Sequence, residues 1–207
     1  MATVGSHRPV LYRNYRLFGN AVAIGNTMMD TTHWMQNVNS ILRQSSSAFV
    51  DTTDIPDNGV IEGAFLFWSG SIDAVPDDSV ALTLADGTRL DVVADEGCLT
   101  EPFRGSMDDG FFYCSADITD MVADHPGGAH WSGTYTVAGL EAEPGYLDDS
   151  GSSCLYPATC EAKYGGWSMV FVWSSPTENV QRDIYLYNGF LLLDEDTSPG
   201  ISSFSIG

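Results

Sequence analysis

The residues best placed to do chemistry in this chain are four cysteines and three knots of acid. Cys98, Cys114, Cys154 and Cys160 form an even set, which in a chain of this kind reads as a disulfide framework. Local pairing is expected: Cys98 with Cys114, tying a loop to the following strand, and Cys154 with Cys160, closing the "CLYPATC" loop. A zinc site would need closer cysteine pairs or histidines at ligand spacing, and neither occurs. Buried free thiols are the remaining alternative.

The acidic knots are "LDDSG" with Asp148 and Asp149, "MDDG" with Asp108 and Asp109, and "LDEDTSPG" with Asp194 and Asp196. Each offers the hard oxygen ligands that Ca2+ gathers in sets of six to eight. None follows the EF-hand spacing, so solvated loops are the plain alternative. Trp34, Trp131 and Tyr146 stand in polar surroundings, where an aromatic ring could stack on the face of a glycan; ordinary loop packing is the alternative. His33, His125 and His130 read as surface or capping histidines rather than ligands or bases. No nucleophile elbow, zinc-protease helix, phosphate loop or dinucleotide fingerprint is present, so catalysis is not expected.

The charge balance narrows the partners. With 28 acidic residues against 8 basic ones the chain carries −20, which repels phosphate backbones and anionic lipid surfaces. Nucleic acid is not an expected partner, and no apolar run is long enough to insert into a membrane. The asymmetry is internal as well: residues 1–50 hold four arginines and one acid, a balance of +3, leaving −23 for the remainder. A faintly basic arm, residues 1–18, is therefore expected ahead of an acidic body. Residues 1–50 of one copy could dock head-to-tail on the body of the next. The first twenty residues contain no apolar leader core, so a secretory leader is expected to have been removed already.

The elements that must position these residues read as strands. Short runs rich in Val, Ile, Phe, Tyr and Trp are punctuated by Gly, Asp, Asn and Pro. "VLYRNYRLFG" and "NAVAIGNTMM" are expected as two strands joined by a turn, and "GVIEGAFLFWSG" as a long buried one. Residues 36–58 and 143–163 are expected as surface loops. "DSVALTLADGTRLDVVA" is expected as a hairpin about Asp86 and Gly87, through a primed turn. "ADITDMVADHP" offers Asp117 or Thr119 as the cap of one helical turn ending before Pro126. In "WSMVFVW", residues Trp167, Met169, Phe171 and Trp173 share one face while Ser168, Val170 and Val172 share the other, as in a central strand. "DIYLYNGFLLL" is expected to pair beside it. The sum is a single domain spanning residues 1–207. Its class is all-β, an antiparallel two-sheet sandwich, jelly-roll-like, of about nine strands and one short helical turn.

The ordered motifs "GNAVAIGNTMM", "AFLFWSGS", "ADITDMV", "GTYTVAGL", "YGGWSMVFVW" and "IYLYNGF" resemble the N-terminal β-sandwich module of large bacterial and archaeal cell-surface proteins of the adhesin-like, repeat-containing kind. The "DITD" to "TYTV" passage also looks like the jelly-roll sandwiches of carbohydrate-binding modules. The resemblance implies an extracellular, non-catalytic interaction module whose partners are other copies or neighbouring surface domains. It carries no catalytic residues with it. Relatives continue with further strands after the "YNGFLLL" pattern, so the domain is expected to be truncated, processed or completed by another chain. A glycan-binding module and a glycoside hydrolase are the alternative functions, and Ca2+ is the one cofactor expected.

Overall fold

The computed structural model describes residues 7–34, 37–72, 75–102, 110–123, 131–142 and 164–190. They form twelve strands and one helical turn, three strands more than the apolar runs suggest. The strands are β1 (His7–Thr27), β2 (Met29–Trp34), β3 (Asn37–Leu42), β4 (Ser45–Val50), β5 (Val60–Ile72), β6 (Ser79–Thr83), β7 (Arg89–Val93), β8 (Leu99–Pro102), β9 (Gly110–Asp117), β10 (Gly133–Ala138), β11 (Gly165–Ser174) and β12 (Gln181–Phe190). The turn is α1 (Thr119–Ala123), lying between β9 and β10. One sheet has the order β12, β1, β11, β5, β9, β8 and the other β4, β10, β6, β7, while β2 and β3 form a separate ribbon. Every pairing is antiparallel.

The core lies between the two larger sheets. Pairing Trp167 with Trp68, Met169 with Leu66 and Phe171 with Ala64 stacks one inward face, and Trp68, Phe171, Met169 and Leu66 are all essentially inaccessible. Across from them stand Leu82, Val92, Tyr135 and Val137. The rings of Tyr135 and Phe171 meet with centroids 5.2 Å apart. The indole N–H of Trp167 donates to Ser46 Oγ of β4 at 2.8 Å, satisfying a buried donor that would otherwise cost about 1–3 kcal/mol. "YGGWSMVFVW" is thus a central strand, as its alternation indicates.

Several local expectations are corrected. The supposed turn near Gly19 does not exist: β1 is a single strand of 21 residues that changes partner instead of direction. Phe18 is opposite Gln181 of β12 and Gly19 opposite Ser174 of β11. A Cβ on Gly19 would collide with the Trp173 carbonyl, so the glycine permits close approach rather than reversal. The same register shows that β12 pairs with β1 and not with β11. Residues 7–18 are likewise no free arm, because they are laddered to β12 of their own chain. Residues 36–58, expected as a loop, contain β3 and β4. Residues 143–163 lie outside the described residues.

The β6–β7 hairpin forms as expected, but around three residues. Leu84 N–H donates to Thr88 O at 2.8 Å and Gly87 N–H to Leu84 O at 2.9 Å, with Gly87 at φ +89°; this matches a type I turn closed by a glycine bulge rather than a two-residue primed turn. The helical turn is capped by Asp117, whose Oδ1 accepts from Thr119 N–H at 3.1 Å, and it ends at Ala123.

Candidate functional site

The functional surface is best sought on the outer face of the six-stranded sheet. Alternation along β5 and β9 turns Gly63, Phe65, Phe67 and Ser69, with Tyr113, Ser115 and Asp117, away from the core. The paired half of β1 and all of β12 form a two-stranded ribbon laid across part of this face. Tyr12 meets Phe65 edge-on at 5.4 Å, and the Tyr15 hydroxyl sits where a Cβ on Gly63 would be. Tyr113 stacks between Phe67, at 6.1 Å, and Phe190 of β12, at 5.9 Å.

A polar chain locks the ribbon down. The Tyr113 hydroxyl donates to Asn188 Oδ1, and Asn188 Nδ2 donates to Ser115 Oγ at 3.2 Å. Arg13 Nη2 reaches Asp117 Oδ2 at 3.2 Å, and its guanidinium lies 4.3 Å from the Tyr12 ring centre. Burial raises the Tyr113 phenol far above its ordinary range, with the nearby Tyr12 adding to the effect. Tyr113 therefore stays a neutral donor at any physiological pH.

Two depressions flank this aromatic stack. One, of about 420 Å³, is lined by Phe67, Tyr113 and Tyr164, with Ser69, Gly166 and Ser168 among its floor residues. The register explains its shape: Thr27, Gly166, Ser69 and Tyr113 form one row across four strands, and Gly25, Ser168, Phe67 and Ser115 the next. Gly166 and Ser69 in the first row, with Gly25 and Ser168 in the second, leave a trough beside the aromatic wall. The other depression, of about 930 Å³, lies between the ribbon and the approach to β8, and includes Leu11, Arg13, Asp95, Glu96 and Asn188. Of its acids, Asp95 is structurally engaged, its Oδ2 accepting from Asp117 N–H at 2.7 Å.

The ribbon's own outward side is unusually apolar. Leu11 and Tyr187 stand opposite each other, followed by Tyr185 beside Asn14 and by Phe18. Leu11 is 51%, Phe18 49%, Tyr185 56% and Tyr187 37% exposed. Arg16 is paired with Asp183 at 3.5 Å between Tyr185 and Phe18, so the strip mixes apolar and polar rows and is nearly neutral.

Of the residues singled out in the sequence, Cys98 and Cys114 are joined by a disulfide. Cys98 immediately precedes β8, and the register opposes it to Cys114 of β9. Both sulfurs lie beside the carbonyl of Asp77, which accepts from Trp68 Nε1–H at 2.9 Å. The Asp77 carboxylate accepts from Glu141 N–H at 2.7 Å, and desolvation raises its pKa above the usual value. Trp131 is half-buried against the core, its indole N–H donating to Gly59 O at 3.2 Å, and Trp34 closes β2 opposite Asn37. Cys154, Cys160, Tyr146, Asp108, Asp109, Asp148, Asp149, Asp194 and Asp196 lie outside the described residues. Among the described residues no three or more histidines, cysteines or acids gather as a metal site would require. The aromatic wall of Phe67, Tyr113 and Tyr164 escapes a reading of the sequence, because its members come from β5, β9 and the residue before β11, which only the register unites.

Among the described residues no helix is long and apolar enough to cross a membrane. No family model, curated protein or solved structure matches the chain.

Proposed function

We propose that this chain is a non-catalytic, extracellular interaction module of a cell-surface or appendage protein, and that it meets its partners through the outward side of the β1–β12 ribbon. The observation that carries this reading is the exposed cluster of Leu11, Tyr185 and Tyr187, with Phe18 beyond the Arg16–Asp183 pair, on a protein of charge −20. Contiguous apolar surface of a few hundred Å² is uncommon on monomers and marks contact sites. Elsewhere two copies would bring acid against acid; here the nearby charges are already paired, Arg16 with Asp183 and Arg13 with Asp117. Other copies of the chain or neighbouring surface domains are therefore the partners that this strip suits. Because residues 7–18 are committed to their own ribbon, the contact is one of faces rather than a donated arm.

The Cys98–Cys114 disulfide supports an oxidising compartment, and the resemblance to cell-surface modules points the same way. Ca2+ bound by the acidic segments belongs to the same proposal. The test is mass by light scattering after size exclusion, in calcium and in chelator, for the wild-type chain and for a Leu11→Lys, Tyr185→Lys double variant. Concentration-dependent association abolished by the double variant is expected. A wild-type chain that stays monomeric in both buffers, or association unaffected by the lysines, overturns the ribbon contact; identical behaviour in chelator overturns the role of calcium.

A further inference from the structure

We infer that the smaller depression beside the ribbon is a binding site for a neutral saccharide. It goes beyond the ribbon contact and rests on different residues. The first observation is its lining: among the described residues none around it is charged, in a chain with 28 acids and 8 bases. An anionic ligand finds no cation there and meets the repulsion of the whole molecule. A cationic ligand finds no carboxylate, and Phe67 and Tyr113 lie parallel to within 16°, forming a slab rather than the box that encloses an ammonium group. An extended peptide finds no free edge on β5, β9 or β11, each paired on both sides.

The second observation is the mixture of surfaces. Aromatic rings form the walls, while Ser69 and Ser168 stand on the floor; Asn26 and Thr27 at the rim are already hydrogen-bonded within the protein, to Ser47 O and Gly165 O. A wholly apolar ligand would strand the two serine hydroxyls. A pyranose has what both surfaces require, an apolar C–H face for a ring and a circumference of hydroxyls for the floor. About 420 Å³ is within the ordinary range for small-ligand sites.

The third observation is that the most exposed wall is held in place. Tyr164 is 58% exposed, yet its N–H donates to Ser71 Oγ at 2.8 Å and its carbonyl accepts from Ser71 N–H at 2.8 Å. Its ring rests against Phe111 with centroids 5.6 Å apart. A platform fixed before the ligand arrives loses little freedom on binding.

The experiment titrates the full chain with neutral hexasaccharides of β-1,4-glucan, β-1,3-glucan, β-1,4-mannan and β-1,4-xylan, with heparin and choline as charged probes, by calorimetry. At least one neutral hexasaccharide is expected to bind. Tyr164→Ala and Ser168→Arg should each weaken it by about tenfold or more without moving the melting temperature, while Phe49→Ala, on the outer face of the other sheet, changes nothing. Failure of all four neutral hexasaccharides, preference for heparin or choline, or binding retained in Ser168→Arg overturns the inference. Repeating the titration on the Leu11→Lys, Tyr185→Lys variant separates this site from the ribbon contact: saccharide binding should persist there whether or not association does.

Discussion

Removing the Cys98–Cys114 bridge should destabilise the fold by about 3 kcal/mol. The bridge closes a loop of 16 residues, and the chain-entropy relation gives about 3 kcal/mol at 25 °C for a loop of that size. The native state contributes no obvious opposing term, because the two Cα atoms are 4.4 Å apart, the ordinary spacing of a non-hydrogen-bonded antiparallel pair. Cys114 is fully buried, so the comparison is best made with Cys98→Ala, Cys114→Ala, which leaves no buried polar thiol. For a chain of this length about 3 kcal/mol corresponds to a fall in melting temperature of roughly 6–12 °C. Calorimetry on the variant reads it directly. A fall of under about 2 °C would refute the reasoning, because it would mean that β8 and β9 are held in register without the bridge even as the chain unfolds. Since β8 has only 4 residues and stands at the edge of its sheet, such self-sufficiency is not expected.

Two further outcomes follow from the packing of the outer face. Gly63→Ala forces a Cβ against the Tyr15 hydroxyl and to within 2.9 Å of Phe65 Cε2, so it should cost about 1–3 kcal/mol and increase hydrogen exchange along β1 and β12 before it affects β6 or β10. Tyr113 and Tyr135 have phenols raised by burial; such groups contribute stability that is complete below the unfolded value near pH 10 and lost as pH rises toward the folded one. Denaturant midpoints should therefore fall with increasing alkalinity above about pH 10, and Tyr113→Phe should reduce that fall.

The class of the fold was legible because its central strands obey alternation strictly: Trp167, Met169, Phe171 and Trp173 face inward as their spacing dictates. What escaped has identifiable causes. Gly19 and Asn20 look like turn punctuation, but the glycine serves the close approach of β1 to Trp173. Strand β4, "SSSAFV", resembles a polar loop because its outward residues are Ser45, Ser47 and Phe49, leaving only Ser46, Ala48 and Val50 to turn inward. Trp131 sits among polar neighbours in sequence, yet its indole reaches Gly59, 72 positions away. The trough is a property of register: Ser69 is flanked by Gly166 on one side and Tyr113 on the other, and no window of sequence contains all three.

The change of partner within β1 also governs the order in which the fold can be completed. Both of its neighbours, β11 and β12, are the last described strands of the chain, and Gly19 meets Ser174 across about 150 intervening residues. A nascent polypeptide that has emerged as far as β10 has everything needed for the four-stranded sheet, whose members all lie between Ser45 and Ala138, but nothing against which to lay its first strand. The smaller sheet can assemble first. The larger one must wait, with its N-terminal strand unpaired, until β11 and β12 arrive to flank it.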